Sequence, residues 1–248
     1  MTERQDMKVI VITRDRVSYA KQCVRALMDS AGVTDIHIVD HGSTYEPMLT
    51  WLGQVAGPYG ASDAYPGAEP NGRIHVHWKP NAHPRDIWTN GTLAAIVRPE
   101  ERFIVTDCDI VVPTDVDWVT QLGVLLDARH DVVKAGLSLR IQDLPPEIER
   151  TEQIHRWESQ YRTPDRLRKA AGSNLWYFEA SVDTTVAMYP RLRPYAIDPA
   201  VRLAHVEAVH LPWYEDPDKL TTEQRYYLAH AEHGHWRQPA GYVDNRNL

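Results

Sequence analysis

The chain has 248 residues, 43% of them hydrophobic and 25% charged, enough to bury a core without a disulfide or metal staple. Lys and Arg total 27 against 34 Asp and Glu, a formal net charge of -7 with no basic stripe, which argues against a protein that grips nucleic acid through its phosphates. The two cysteines, Cys23 and Cys108, lack CxxC spacing, the start Met1 to Met7 has no signal-peptide form, and no segment approaches a membrane span, so a soluble cytoplasmic chain without disulfides or zinc thiolates is expected.

Lys8 to Thr13 is a β-branched run, the pattern of a strand buried on both faces. Ser18 to Asp29 has helical spacing, with Tyr19, Cys23, Ala26 and Leu27 in phase, and Gly32 stops it. Asp35 to Asp40 reads as a second strand, His41-Gly42-Ser43 as a turn and Tyr45 to Val55 as a second helix. Strand, helix, strand, helix is the signature of a parallel sheet. Ala56 to Gly72, rich in glycine and proline, reads as a loop inside the domain, because the pattern resumes directly after it. Arg73 to Trp78 follows as a strand, and Pro84 to Val97 as a helix with proline at its start. Arg102 to Thr106 is a fourth strand, extended briefly over Ile110 to Val112; Trp118 to Ala128 is a helix and Asp131 to Leu139 a strand. Beyond these, Pro146 to Tyr161 reads as a helix, Leu175 to Phe178 and Thr184 to Tyr189 as strands, and Thr221 to Glu232 as a helix. The stretch holding Arg162, Arg166, Arg168 and Lys169 reads as a solvated helix face. No internal repeat or low-complexity segment appears, and a single α/β domain is expected.

The strongest chemical signal is Phe103-Ile104-Val105-Thr106-Asp107-Cys108-Asp109. It places two carboxylates two residues apart at the end of a buried strand, where open α/β sheets bind ligands. Carboxylate oxygens suit Mg²⁺ or Mn²⁺, which take few protein ligands and complete their shell with substrate phosphates. The bland alternative is a carboxylate pair capping the next turn. In Ile38-Val39-Asp40-His41-Gly42-Ser43-Thr44, Asp40 at a strand end can accept hydrogen bonds from a ribose or base, or else close an Asx-turn. In Thr13-Arg14-Asp15-Arg16, the arginines offer forked donors matched to phosphate, against a surface ion pair as the alternative.

These segments, Val9 to Arg14, Ile38 to Thr44 and Phe103 to Asp109, resemble the GT-A glycosyltransferases, above all the family-2-like group, with His41 where Asn is usual. The resemblance covers about residues 8 to 130. It implies a GT-A, Rossmann-like, mixed but mostly parallel sheet flanked by helices. Residues 1–248 then form one domain, a nucleotide-sugar half over about 1–130 and an acceptor half over about 131–248. It further implies that Asp40 meets the nucleobase, that Thr13 and Arg14 line the nucleotide pocket, and that Asp107 and Asp109 meet the ribose and a Mn²⁺ or Mg²⁺ ion. Arg85, in Asn81-Ala82-His83-Pro84-Arg85, is a diphosphate or sugar candidate. The donor implied is a UDP- or GDP-sugar; the acceptor, whether protein, glycan, lipid or modified nucleic acid, stays open.

The acceptor half resembles uncharacterised bacterial and phage glycosyltransferase-like proteins in Ala135 to Pro145, Val182 to Thr185 and His210 to Tyr214. Several GT-A enzymes use a C-terminal histidine as a further metal ligand, which makes His210 a candidate beside Asp107 and Asp109; a core histidine is the alternative. The usual Glu-Asp base motif is not evident. Asp183 is the first candidate for the base that deprotonates an acceptor hydroxyl, with Glu158 and Glu179 competing. Trp213 and Tyr214 read as packing or a sugar platform. The pairs His75/His77 and His233/His235 each lack a third zinc ligand at sensible spacing and read as structural or exposed. Two other functions remain open. A nucleotidyltransferase would normally carry a glycine-rich loop after the first strand, which Thr13-Arg14-Asp15-Arg16 does not. A non-catalytic sugar- or partner-binding module would bind a donor without turning it over.

Overall fold

A computed structural model describes residues 7–56, 73–148 and 150–230. Its first half alternates as the sequence predicts: β1 (Met7–Thr13), α1 (Val17–Asp29), β2 (Val33–His41), α2 (Glu46–Val55), β3 (Ile74–Lys79), α3 (Thr92–Ile96) and β4 (Phe103–Asp107). A two-residue strand β5 (Ile110–Val111) leads into α4 (Trp118–Ala128) and β6 (Lys134–Leu139). The second half holds α5 (Thr151–Ser159), β7 (Leu167–Lys169), β8 (Trp176–Glu179), β9 (Ala187–Tyr189), β10 (Ala200–His210) and α6 (Thr222–His230).

The strands form one sheet in the order β3-β2-β1-β4-β9-β6-β10-β8-β7, with β5 paired to the end of β10. β1 pairs parallel with β2 and β4, and β2 with β3, while β9 enters antiparallel between β4 and β6. The sheet is therefore mixed and parallel from β3 through β4, as expected. The β-branched run of β1 is explained by burial on two faces: Val9 and Val11 pack under α1, α2 and α4, whereas Ile10 and Ile12 join Val39, Ile87, Leu93, Phe103 and Tyr189 on the other side. Alternate side chains along a strand point to opposite faces, so every position of such a strand must be apolar.

Several expected elements differ. The helix expected over Pro84 to Val97 is a 3-10 turn, Pro84–Trp88, followed by the short α3. Gly91 at φ 82 breaks the two apart in a left-handed conformation that glycine adopts without strain. The arginine-rich stretch expected as a helix face is instead a 3-10 turn, Pro164–Arg166, and the edge strand β7. α5 is shorter than Pro146 to Tyr161, and β9 is shorter than Thr184 to Tyr189. β10, the longest strand, has no counterpart among the expected elements. Its register against β6 shifts between Leu203 and Glu207, and that irregularity breaks the alternation a straight strand would show. The expected loop from Ala56 to Gly72 lies almost wholly outside the described residues, as do His233 and His235.

Candidate nucleotide and metal site

The strand order reverses direction at β1, with β2 built out on one side and β4 on the other. A crevice outside the carboxyl ends of the strands opens at such a switch point. Register places Thr13 beside Asp40 and Ile12 beside Asp107, so the three sequence signals end side by side. Thr13 is fully buried. Asp40 is 1% exposed, and its carboxylate accepts from both the Ser43 N–H, at 3.0 Å, and the Ser43 hydroxyl. Burial raises its pKa and those two hydrogen bonds oppose the rise. In this conformation Asp40 braces the His41–Ser43 turn, the Asx-turn alternative of the sequence reading.

The loop after β1 is locked to that turn. Asp15, at φ 53, is the one non-glycine in the left-handed region among the described residues. Its N–H donates to the Ser43 hydroxyl at 2.8 Å, and its carboxylate accepts from the N–H groups of Thr44 and Tyr45 at 2.6 and 2.8 Å. These bonds hold a conformation that costs most side chains energy. Arg14 is also buried. Its guanidinium donates to the Asn81 side chain at 2.5 Å and to the His230 carbonyl at 3.0 Å, not to solvent.

Asp109 and His210 meet because β5 pairs with the far end of β10. Ile110 faces His210, and the Leu211 N–H donates to the Asp109 carbonyl at 2.9 Å. The His210 Nε2 stands 3.7 Å from the Asp109 Oδ1, a buried oxygen with no hydrogen-bond partner among the described residues. Burial lowers the His210 pKa in spite of Asp109, so the imidazole is neutral near pH 7. With the imidazole proton on Nδ1, which has no hydrogen-bond partner among the described residues, Nε2 and Oδ1 would face each other as two lone-pair donors, and a divalent cation seated between them would satisfy both. The fit stops at two: no three His, Cys, Asp or Glu side chains converge as a metal cluster among the described residues. Asp107 accepts from the Thr184 hydroxyl at 2.7 Å, and burial together with Asp109 pushes its pKa well above the usual carboxylate range. The other oxygen of Asp109 accepts from Arg16 Nη1 at 2.9 Å.

Helix α6 lies over this loop and is held mainly by polar contacts. Glu223 accepts from the Ser18 N–H and hydroxyl, Gln224 donates to the Tyr19 hydroxyl at 3.0 Å, and the Tyr226 ring lies tilted against Tyr45 while its hydroxyl reaches Thr44. The Tyr227 ring covers the Arg16 guanidinium at 3.9 Å.

A second cluster surrounds Asp183. Arg85 donates to both of its oxygens at 3.2 and 3.3 Å, and the Tyr195 hydroxyl donates to one of them. Burial alone would raise the pKa of this carboxyl. The Tyr195 bond, Arg85 and Lys134 outweigh it and hold the group below its usual range. Lys134 itself is fully buried, donates to the Asp183 carbonyl at 3.2 Å, and is pushed by burial down to about 7. Of the competing carboxylates, Glu158 is sealed in an ion pair with Arg202 at 2.9 Å, and Glu179 pairs with Arg129 and Arg168 on the surface. Trp213 is buried edge-on against His210, which is packing. The Tyr214 hydroxyl donates to Asp143 at 2.6 Å.

No protein-family model matches the sequence, and no curated protein matches it. Solved structures do. The mannosyltransferase PcManGT from Pyrobaculum calidifontis, solved with GDP-Man and Mn²⁺, aligns over 84% of this chain and 57% of its own, with TM-score 0.52 and 14% identity. The S. aureus TarS fragment 1-349 aligns over 84% of this chain and 61% of its own, with TM-score 0.50 and 10% identity. The fold is GT-A.

The chain spans about three-fifths of each of these two GT-A neighbours. Within the shared fold, the structure brings Asp109 and His210 together, keeps Asp107 apart from them on the Thr184 hydroxyl so that the expected three-ligand set is not formed, and sets Thr13, Arg14 and Asp40 at adjoining strand ends, while Arg85 joins Asp183. The Thr13-Arg14-Asp15-Arg16 signal included Arg16 without singling it out, and Thr184 and Tyr227 lay in an expected strand and an expected helix with no role assigned, because no spacing shows that the bend before β9 and helix α6 bring them to the site.

Proposed function

We propose that this GT-A domain is a metal-dependent glycosyltransferase that moves a sugar from a UDP- or GDP-sugar to an acceptor hydroxyl. The observation that carries the reading is the Asp109–His210 pair: His210 ends β10, Asp109 lies two residues past the end of β4, and their donor atoms face each other at 3.7 Å. Asp109 and His210 would hold Mn²⁺ or Mg²⁺, with Asp107 alongside. The metal would supply Lewis-acid neutralisation of the diphosphate as it leaves.

The remaining roles fall to side chains already in place. The loop Thr13–Arg16 and the turn braced by Asp40 form the walls against which the nucleoside would lie. Arg85 would steady the donor sugar or diphosphate. Asp183 would accept the proton of the acceptor hydroxyl as its oxygen bonds to the anomeric carbon and the bond from that carbon to the diphosphate breaks. With its pKa held low, Asp183 would be a weak base, suited to take the proton late, when the hydroxyl is already acidified by bond formation.

The test is nucleotide release from a panel of UDP- and GDP-sugars, with Mn²⁺ and with chelator. Release that needs Mn²⁺ and disappears in Asp109→Ala supports the reading. Release indifferent to both would remove the metal role. Nucleotide binding without release from any donor would favour a binding module, and failure to bind any nucleotide would remove the donor reading altogether.

A further inference from the structure

Arg16 sits where a metal site should have no cation. It ends the loop after β1, and its side chain is only 11% exposed. It donates to Asp109 Oδ2 at 2.9 Å, with the Tyr227 ring over it at 3.9 Å and the Tyr19 ring at 5.5 Å. The guanidinium therefore neutralises the same carboxylate that faces His210 through its other oxygen. A divalent cation entering between Asp109 and His210 would meet this fixed positive charge a few ångströms away, in surroundings where charges are poorly screened. The arrangement weakens a metal site for as long as Arg16 stays.

Guanidinium prefers a phosphate to a shared carboxylate oxygen, because two parallel N–H groups match two phosphate oxygens. Arg16 lies in the loop at the switch point, where a donor diphosphate would arrive. It also has room to turn, since a cavity of about 50 Å³ lies alongside, lined by Arg16, Arg150, Glu215, Gln224 and Tyr227. We propose that Arg16 is an internal counter-ion which closes Asp109 to divalent metal until a nucleoside diphosphate draws the guanidinium away, so that metal and donor are admitted together. The inference rests on the metal reading of Asp109 and His210. Coupling of this kind is reciprocal: the diphosphate strengthens metal binding by the same factor as the metal strengthens diphosphate binding. Its consequence is a protein that binds free metal only weakly in the resting state and holds the ion tightly at a loaded donor site.

The experiment is Mn²⁺ binding to the full chain, read from the paramagnetic resonance of the free ion, with and without UDP or GDP. Wild type, Arg16→Gln and Arg16→Lys are compared, and Asp109→Asn measures Mn²⁺ held elsewhere. Wild type should bind Mn²⁺ weakly alone and more tightly with diphosphate, within the ~5- to 150-fold range usual for linked sites. Arg16→Gln should bind Mn²⁺ alone about tenfold more tightly than wild type, with the diphosphate effect shrunken towards unity. Arg16→Lys keeps the charge but loses the fork, so it should stay weak for metal alone and give a smaller diphosphate effect. It also serves as the variant of record if Arg16→Gln does not fold. Metal binding by wild type with diphosphate, but no gain in Arg16→Gln and a full wild-type effect in Arg16→Lys, overturns the counter-ion proposal alone. Diphosphate binding with no Mn²⁺ bound above the Asp109→Asn background, in any variant, overturns the metal reading and the proposal with it.

Discussion

Gly136 in β6 tests how the Val182–Val186 segment is pressed against the sheet beside the site. A Cβ at this position would stand 2.9 Å from the Val182 Cγ1 and 2.9 Å from the Val186 carbonyl oxygen, where non-bonded carbons normally rest at about 3.5–4.0 Å. Neither neighbour withdraws freely. Val182 is fully buried, and the Val186 carbonyl accepts from the Leu137 N–H at 3.3 Å. Overpacking of this kind costs ~1–3 kcal/mol. Loss of glycine's freedom in the unfolded chain returns ~0.4–1 kcal/mol, for a net destabilisation of about 1–2 kcal/mol in Gly136→Ala. At about 2–4 °C per kcal/mol for a domain of this size, Tm should fall by roughly 2–8 °C. The segment that must move carries Asp183 and Thr184, and Thr184 holds Asp107 at 2.7 Å. Nucleotide affinity measured well below Tm should therefore fall as well. Thermal unfolding followed by circular dichroism, with a UDP titration at 20 °C, checks both. A Tm equal to or above that of wild type would refute the packing of Val182–Val186 against β6.

Three further predictions follow from buried or clustered charge. Glu158→Ala should cost ~3–5 kcal/mol in urea unfolding, because it strands the buried Arg202, while turnover per folded molecule stays normal; lost turnover at full stability would return Glu158 to candidacy as the base. Asp183→Asn should lower turnover by about 10²-fold or more and leave nucleotide affinity within a few-fold, since Asn keeps the shape but cannot take the proton; near-normal turnover in folded protein would end the base assignment. His37 is held down to about 4 by burial and by His75 and His77, against an ordinary 6.5, so the unfolded chain takes up its proton first as pH falls. Its contribution is complete above pH 6.5, is lost between 6.5 and 4, and is constant below, and Gln at this position should flatten that part of the stability profile. The shift converts to at most ~3 kcal/mol, reduced to about 1–2 kcal/mol by partial exposure; an unchanged profile in His37→Gln would refute the effect.

Local chemistry made the N-terminal half readable. The central runs Val9–Ile12 of β1 and Phe103–Val105 of β4 are buried on two faces and so are apolar throughout, Asp40 and Asp107 lie at the ends of β2 and β4, and Asp109 follows two residues on. What the sequence hid depends on contacts between distant residues. β10 is masked by its register shift, although it delivers His210. The pairing of His37 with His77 at 3.0 Å, and its stacking on His75 at 4.6 Å, arise only when β2 and β3 lie side by side. Asp40 was legible as a strand-end acid, but only the Ser43 bonds reveal that it braces a turn. Arg16 looked like half of a surface ion pair, and its burial beside Asp109 follows from α6 closing over the loop.

The central claim is that Asp109 and His210 hold a divalent metal for a nucleotide-sugar. Crystals soaked with Mn²⁺ and UDP, with anomalous diffraction recorded at the manganese edge, test it most directly. The account predicts a single strong peak within ~2.5 Å of both Asp109 Oδ1 and His210 Nε2, with diphosphate oxygens completing the shell. Bound UDP with no peak at that position, or with the metal held by other residues, would contradict it.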